Sequence, residues 1–395
     1  MRYELIQNSE NFLGFALIIL AVAFLSTMLV SIAQSNLRSL KRLKILPDEQ
    51  DPQLVSILIP ARNEYHNLKR CLDSLIKLDY SNIEILVLND RSTDQTAELV
   101  EDYQKIDKRI QLIQGNDLPD GWIGKHWACH QLSESAKGTI ILFMDADTVL
   151  TNTIVSKAVL AMNKQNSDLL SLVPGRKANC LIEKLTFPFI DWMTLCWLPV
   201  KLASSSKSAY LSANFGQFMM FRKEAYISIG GHSYLRENLL DDFELGREIK
   251  RNGLKWSLYD GSKDVTTRMY SRSREAFTGL SRSIFPVFDY RISAFILAVA
   301  ILSSLAILPQ LYIINYTLYG ASGQFLIFLS YFSMIMLSLS WLATCIKFNH
   351  NLLTVLIYPI IIFIMISIGI HSVFTNMRGT TSWKERRVSK FKIKL

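Results

Sequence analysis

Three groups of acidic residues stand where chemistry could use them. Asp145-Ala146-Asp147 follows the apolar run Thr139–Met144, Asp90 follows Ile83–Leu88, and Asp241-Asp242 precede a helical pattern from Phe243 to Lys250. Two carboxylates one residue apart can face one pocket once the backbone leaves its extended form. Hard oxygen ligands of this kind suit Mg²⁺ or Mn²⁺, which usually take one or two carboxylates plus substrate phosphates. Such a metal would neutralise charge building on a departing diphosphate. Each group also has a plainer reading. A D-x-D alone fits a solvated acidic turn, Asp90 fits a strand-end turn, and Asp241-Asp242 fit the electrostatics of a helix N-terminus.

The elements that position these acids are readable. Leu54–Pro60 is a short β-branched run ended by proline, and Ile83–Leu88 and Thr139–Met144 are similar apolar runs, so all three read as buried strands. Asn67–Leu78 and Thr93–Ile106 carry apolar residues at helical spacing. Strand, helix, strand, helix predicts a parallel α/β sheet covered on both faces. Ligands of such sheets sit at the carboxyl ends of the strands, where Asp90 and Asp145 fall.

The motifs recur in a fixed order: Pro60-Ala61-Arg62-Asn63-Glu64, Asn89-Asp90-Arg91-Ser92-Thr93-Asp94, then Asp145-Ala146-Asp147. With them the chain resembles the family-2 glycosyltransferases, whose catalytic domain has the GT-A nucleotide-diphospho-sugar fold. Gly121-Trp122-Ile123-Gly124-Lys125 is similar to a donor-side loop of the membrane subset. Gly216-Gln217-Phe218 and Gly230-Gly231-His232 are similar to its acceptor-side region, and Leu240–Leu245 to the E-D-x-x-L segment bearing the catalytic base, with Asp241 in place of Glu. Within the family the chain most resembles hopene-associated and carotenoid-acid glycosyltransferases, and more distantly ceramide glucosyltransferases. Trp383-Lys384-Glu385-Arg386 looks like the W-K-G-R of the first group, with Glu for Gly. The likeness covers roughly residues 54–285. Its Q-x-x-R-W is missing: Gly279–Phe285 occupies that place, which disfavours processive polymerisation.

The resemblance implies roles. Asp90 would accept a hydrogen bond from uracil, helped by Pro60, Arg62 and Glu64 of the first loop. Asp145 would lie near ribose and metal, Asp147 would ligate the metal, and Lys125 would offset phosphate charge or stay a solvated surface lysine. Asp242 would be the general base, with Asp241 its rival; a partly buried carboxyl has the raised pKa that suits this task. One-step attack implies inversion at the anomeric carbon. His126 and His130 are four apart, but H-E-x-x-H is absent, so packing or surface roles are expected. Arg272, Arg274 and Arg282 are candidates for lipid headgroups or donor phosphates.

Composition sets the surroundings. Half of the 395 residues are apolar and they concentrate near both ends. Phe12–Ala33 lacks any charge and is long enough to cross a hydrocarbon core of ~30 Å at ~1.5 Å per residue. It reads as an uncleaved signal anchor, and Arg38, Lys41, Arg42 and Lys44 after it place the following domain in the cytoplasm. Three further candidate spans are Ile292–Tyr316, Gln324–Ile346 and Leu352–Phe374. They create a conflict: three crossings leave the basic tail outside, whereas its charge says inside.

The expected organisation is therefore an anchor and basic segment (1–50), a cytoplasmic GT-A domain (51–285), a membrane region of about three spans (286–376) and a basic tail (377–395). Cys180–Leu202 is either a buried core helix or an interfacial one, with Trp192 and Trp197 at the headgroup level; the tryptophans and flanking lysines favour the second. The net charge of +9 gathers beside the spans, which argues for anionic lipid and against nucleic acid. Five cysteines without metal spacing fit a reducing compartment.

The sequence expectation is thus an inverting transferase in the cell membrane, moving one sugar from a nucleotide-diphosphate donor to a lipid or isoprenoid-type acceptor. A processive synthase, a nucleotidyltransferase and a non-catalytic membrane protein are the alternatives. The last lacks the acidic residues that an ion-coupled pathway would place inside the spans.

Overall fold

The computed structural model describes residues 2–44, 52–320, 323–379, 382–383 and 386–387. The apolar runs form β1 (Val55–Ala61), β2 (Ile83–Asn89) and β4 (Ile140–Phe143), with β3 (Ile110–Gln114) between. Then follow β5 (Thr148–Leu150), β6 (Leu169–Arg176), β7 (Met219–Arg222) and β8 (Trp256–Thr267). They make one eight-stranded sheet in the order β3-β2-β1-β4-β7-β6-β8-β5. The expected all-parallel sheet is corrected here. β7 runs antiparallel to β4 and β6, and β5 antiparallel to β8, because the chain doubles back after the acidic turn 145–147 and again before Met219.

The helices of this domain are α2 (Tyr65–Leu75), α3 (Thr96–Ile106), α4 (Gly124–Ser135) and α5 (Ile154–Gln165), after the N-terminal α1 (Arg2–Ser39). Next come α6 (Leu181–Trp197), α7 (Val200–Ser205), α8 (Lys223–Ser228), α9 (Gly231–Tyr234), α10 (Asp241–Arg251) and α11 (Ser273–Ile284). α3 starts later than its periodicity predicts because Asp94 first folds the chain into a turn, accepting from the Thr96 N–H at 3.1 Å. Leu68, Leu72 and Leu75 of α2 pack with Ile57, Ile59, Ile85 and Val87 on one face of the sheet. Leu58, Leu86 and Leu88, on alternate positions, pack with Ala128 and Leu132 of α4 on the other. The sheet is thus sealed on both faces, and what remains open is its carboxyl edge.

Four helices are long and apolar enough to cross a membrane: Leu13–Ser39 of α1, α12 (Ile292–Tyr319), α13 (Gln324–Phe348) and α14 (Thr354–Arg378). Polar groups at their ends join them to the α/β domain. Asp260 of β8 pairs with Lys347 at 2.7 Å and with Arg42 at 3.4 Å, and its N–H donates to Lys41 O at 2.9 Å. The Asn36 amide donates to Leu195 O and Leu198 O and accepts from the Val200 N–H, clamping the α6–α7 junction. His350 lies 2.7 Å from Asp191 of α6, which also pairs with Arg176.

α6 is buried on most sides. Its Trp192 is fully buried, stacks on Trp341 at 5.1 Å and donates to the Ser340 hydroxyl at 2.9 Å. The expectation that Trp192 sits at the lipid headgroup level is therefore corrected: its indole N–H finds a partner inside the helix cluster rather than at a wet interface.

α12 and α14 run antiparallel where they touch. Phe295 packs against Gly369, leaving no room for a Cβ there, while Gln310 donates to the Tyr358 hydroxyl at 3.0 Å. Three successive full crossings would instead make these two helices parallel. Both ends of α14 also adjoin the domain. His350 just before it reaches Asp191, and Ser372 near its end accepts from the Phe285 N–H at 3.0 Å.

Beyond α14 a short ladder pairs β9 (Ser382–Trp383) with β10 (Arg386–Arg387). The rest of the basic tail, with Lys384 and Glu385 of the W-K-G-R-like segment, lies outside the described residues, as do Ile45–Gln50 of the basic juxtamembrane segment.

Candidate active site

The carboxyl edge of the sheet gathers the acids. β1 and β2 pair in register, so the loop after Ala61 faces the loop after Asn89. Arg62 donates to Asp90 O at 2.7 Å, and the Asp90 N–H donates to Ala61 O at 2.8 Å, while the Asp90 side chain is buried. Asn63 and Arg91 both have left-handed backbone, with φ of 52° and 55°. Their strain is held by cross-loop bonds, the Asn63 side-chain Oδ1 accepting from the Thr93 N–H and the Asn63 backbone N–H donating to Ser92 Oγ. Glu64 follows, accepting from the Asn67 amide at 2.9 Å.

The acidic turn after β4 lies beside this double loop. Lys125, second residue of α4, places its ammonium 3.0 Å from Asp145 and 3.3 Å from Asp241. Burial alone would depress the Lys125 pKa, but the two carboxylates outweigh it and raise it well above its usual value. Gln217 donates to Asp145 at 3.2 Å. Pro60, Lys125, Asp145, Gly216, His232 and Asp241 line one narrow cleft, packed too tightly to admit a water molecule.

Asp147 is different. Burial, with the charges of Asp145 and Glu64, pushes its carboxyl up to about 7. That is an excess of negative charge a cation would relieve. Among the described residues no three or more His, Cys, Asp or Glu gather to hold a metal on their own. Two carboxylates plus substrate oxygens is the donor set that Mg²⁺ and Mn²⁺ accept, so the residues present fit such an ion.

Asp241 and Asp242 open α10, as the periodicity predicts, and their environments differ sharply. Burial works to raise the Asp241 pKa, yet the Lys125 ammonium holds it well below the usual carboxylate range. His232 lies 3.6 Å and His126 4.0 Å from the same carboxylate. Burial lowers both imidazoles, His126 to about 4, so near neutrality they are uncharged and Lys125 supplies the compensating charge. At Asp242, burial and the adjacent Asp241 charge push the carboxyl up to about 7. Adjacent carboxyls with pKa values driven apart are the arrangement that separates an ionised partner from a proton acceptor.

The surrounding loops are built around two close approaches. Gly231 has a φ of 51°, and a Cβ there would clash with the Tyr226 ring; its absence lets the Tyr226 hydroxyl reach the His232 ring at 2.7 Å. At Gly246 a Cβ would clash with the Asn214 side-chain amide, whose Oδ1 accepts from the Trp256 indole at 2.8 Å. The Ile123 N–H donates to Arg236 O at 2.9 Å, tying the Gly121–Lys125 loop to the segment that precedes α10.

The structure thus brings Pro60, Lys125, Asp145 and Asp241 into one pocket, with Asp147 and Asp242 beside it and Arg62, Glu64 and Asp90 on the flanking loops. His126 and His232, whose place at Asp241 the sequence reading does not foresee, join them; for His232 its Gly230-Gly231-His232 motif was the available signal. His130 stacks on Trp122 instead, at 5.1 Å. Arg272 and Arg274 are exposed.

Residues 56–230 match the family model described as glycosyl transferase family 2. A 4,4'-diaponeurosporenoate glycosyltransferase of Staphylococcus haemolyticus is 30% identical over 220 residues, 55% of this chain and 57% of that protein. The protein of the same name from Staphylococcus aureus is 30% identical over 229 residues, 57% of this chain and 58% of its own. The matched stretch therefore spans under two thirds of these relatives. A mannosyltransferase of Pyrobaculum calidifontis, solved with GDP-Man and Mn²⁺, superposes with a TM-score of 0.57 at 16% identity, over 91% of this chain and 98% of that one. The fold is accordingly α/β, a GT-A domain with candidate membrane helices.

Proposed function

We propose that this chain is an inverting glycosyltransferase that moves one sugar from a nucleotide-diphosphate donor, a UDP-sugar, to a hydroxyl of a lipid acceptor held at the membrane. The observation that carries the reading is the division of labour between Asp241, held ionised by Lys125, and Asp242, raised to about 7 beside it. A general base is most effective with a pKa near the working pH.

The roles follow. Asp90, Arg62, Glu64 and Pro60 bind the nucleotide at the ends of β1 and β2. Asp147 and Asp145 would hold Mg²⁺ or Mn²⁺, which when bound neutralises charge on the leaving diphosphate; the Mn²⁺ of the archaeal mannosyltransferase supports this. Lys125 adds a fixed positive charge between Asp145 and Asp241. Asp242 takes the acceptor proton as the oxygen attacks the anomeric carbon. Asp241 keeps Lys125 charged and raises Asp242. A lipid held in the bilayer reaches a site welded to membrane helices with less freedom to lose, which favours a membrane acceptor.

The relatives suggest a second reading, since their name refers to a carotenoid carboxylate. A carboxylate acceptor is already ionised near neutrality and needs no base, so the size of the Asp242 effect separates the two.

The same face carries a proposal on topology. The domain is cytoplasmic, as Arg38, Lys41, Arg42 and Lys44 after α1 indicate by charge. α14, antiparallel to α12 and bound to the domain at both ends, adds no full crossing. The chain then leaves α14 on the domain's side, which removes the conflict between span count and charge.

The test is release of UDP from UDP-sugars by the purified chain, with and without total membrane lipid. Lipid-dependent release that falls ~10²-fold or more in Asp242→Asn supports the reading. Release that ignores both the lipid and Asp242 refutes it.

A further inference from the structure

A second cavity, of about 500 Å³, opens at the edge of the sheet beside β5. Four cations line it: Arg70 on α2, Lys77 in the turn just after α2, Lys177 just after β6, and Arg268 just after β8. Its wall also contributes Ser74, Thr151, Asn152 and Thr266, which carry hydroxyl and amide groups. The cavity has one carboxylate, Asp73, and that group already accepts from the Tyr103 hydroxyl. Among the described residues, the ion pairs resolved nearby bind other cations: Lys157 takes Asp264, and Arg109 takes Asp107.

Four cations converging on one concave wall repel one another, and Arg70 and Arg268 are near enough for each to feel the other's charge. Such a wall concentrates anions, because field lines focus in a concave, low-dielectric site. Guanidinium and ammonium groups together favour a multivalent, planar-to-tetrahedral oxyanion. The cavity is separate from the pocket of Lys125, Asp145 and Asp241, and shares no lining residue with it. Arg70 also feels the charge of Asp147, so the two sites adjoin there.

We propose that this cavity is a second binding site, for a phosphoryl-bearing anion, distinct from the nucleotide-sugar pocket. The cavity exceeds what a lone phosphate fills, so the phosphoryl group arrives either on a lipid headgroup or as a small soluble phosphate. The inference does not depend on which sugar or acceptor the chain uses.

The experiment uses the full chain in nanodiscs. Thermal stabilisation is read with inorganic pyrophosphate in phosphatidylcholine discs, and separately with phosphatidylglycerol mixed into the discs. UDP serves as the probe of the nucleotide pocket. Lys77 and Lys177 are exposed, so Lys77→Glu with Lys177→Glu tests the site with little risk to folding.

The expected result is saturable stabilisation by one of the two phosphoryl probes, weakened ~10-fold or more in the double Glu variant, with the UDP response kept. The Lys77→Arg, Lys177→Arg variant should respond like wild type. Pyrophosphate acting in neutral discs identifies a soluble anion; phosphatidylglycerol alone identifies a headgroup. The proposal is overturned if wild type answers neither probe, if the Glu variant answers unchanged, or if UDP abolishes the phosphoryl response by competition.

Discussion

The Lys125 ammonium lies 3.3 Å from the Asp241 carboxylate, at the first turn of α10, and that one contact decides how two neighbouring acids differ. Asp241 is buried and pinned as an anion; Asp242, one residue on, carries the consequence as a raised pKa.

Asp242→Asn should keep nearly normal donor binding and lose turnover by ~10²-fold or more, the range for removing a general base. Donor affinity by UDP-sugar titration and kcat by product formation give the two readings. If Asp241→Asn alone is crippling in kcat while Asp242→Asn is not, the assignment is off by one residue.

The acid limb of the pH profile should report the same group. The base works unprotonated, so kcat/KM should rise with pH through about 7. The Asp241 charge is a cause of that elevation, so Asp241→Asn should move the limb to lower pH. A limb that stays in place would remove Asp242 from the role.

Stability should run the other way. The folded Asp242 carboxyl binds its proton more tightly than the unfolded one, so its contribution is fully present below the usual carboxylate range and lost as pH rises through about 7. Asp242→Asn should therefore melt higher than wild type at pH 8 and equal it near pH 4. An equal melting temperature at both pH values would contradict the burial and charge argument.

Metal dependence should centre on Asp147. Transfer should fail in excess chelator and in Asp147→Asn. Because burial, Asp145 and Glu64 hold a proton on Asp147 up to about 7, the apparent Mn²⁺ affinity should climb between pH 6 and 8 as that proton leaves. Full transfer in chelator would end the metal assignment.

Trp192→Ser should act on stability rather than on reach to the acceptor. It removes a fully buried indole stacked on Trp341 and bonded to Ser340, a loss of about 3 kcal/mol or more. A lower melting temperature in detergent checks this. Unchanged melting with a selective loss of lipid transfer would restore the interfacial reading of α6.

Much of this was legible in the residues. Strand ends at Asn89 and Phe143 follow from β-branched runs stopped by polar turns, and those turns carry Asp90, Asp145 and Asp147. What periodicity does not encode is distant pairing. Nothing near Lys125 in sequence announces Asp241, and His126 and His232 meet only because α4 and α9 pack on one side of β4. Trp192 illustrates the same limit: a tryptophan between lysines fits a headgroup layer or a helix cluster, and only Ser340 and Trp341 decide between them. The direction of β7 and β5 was likewise unreadable, since an apolar run looks the same in either sense. The antiparallel packing of α14 on α12 was also unreadable, since the contacts with Phe295 and Phe285 are long-range.

The most direct test of the whole account is the product of one reaction. The purified chain, Mn²⁺, radiolabelled UDP-sugar and membrane lipid should yield label that extracts into organic solvent and migrates as one discrete glycolipid, with Asp242→Asn forming it ~10²-fold or more slowly. Label appearing in water-soluble polymer of rising length, or on protein, would contradict single transfer to a membrane lipid.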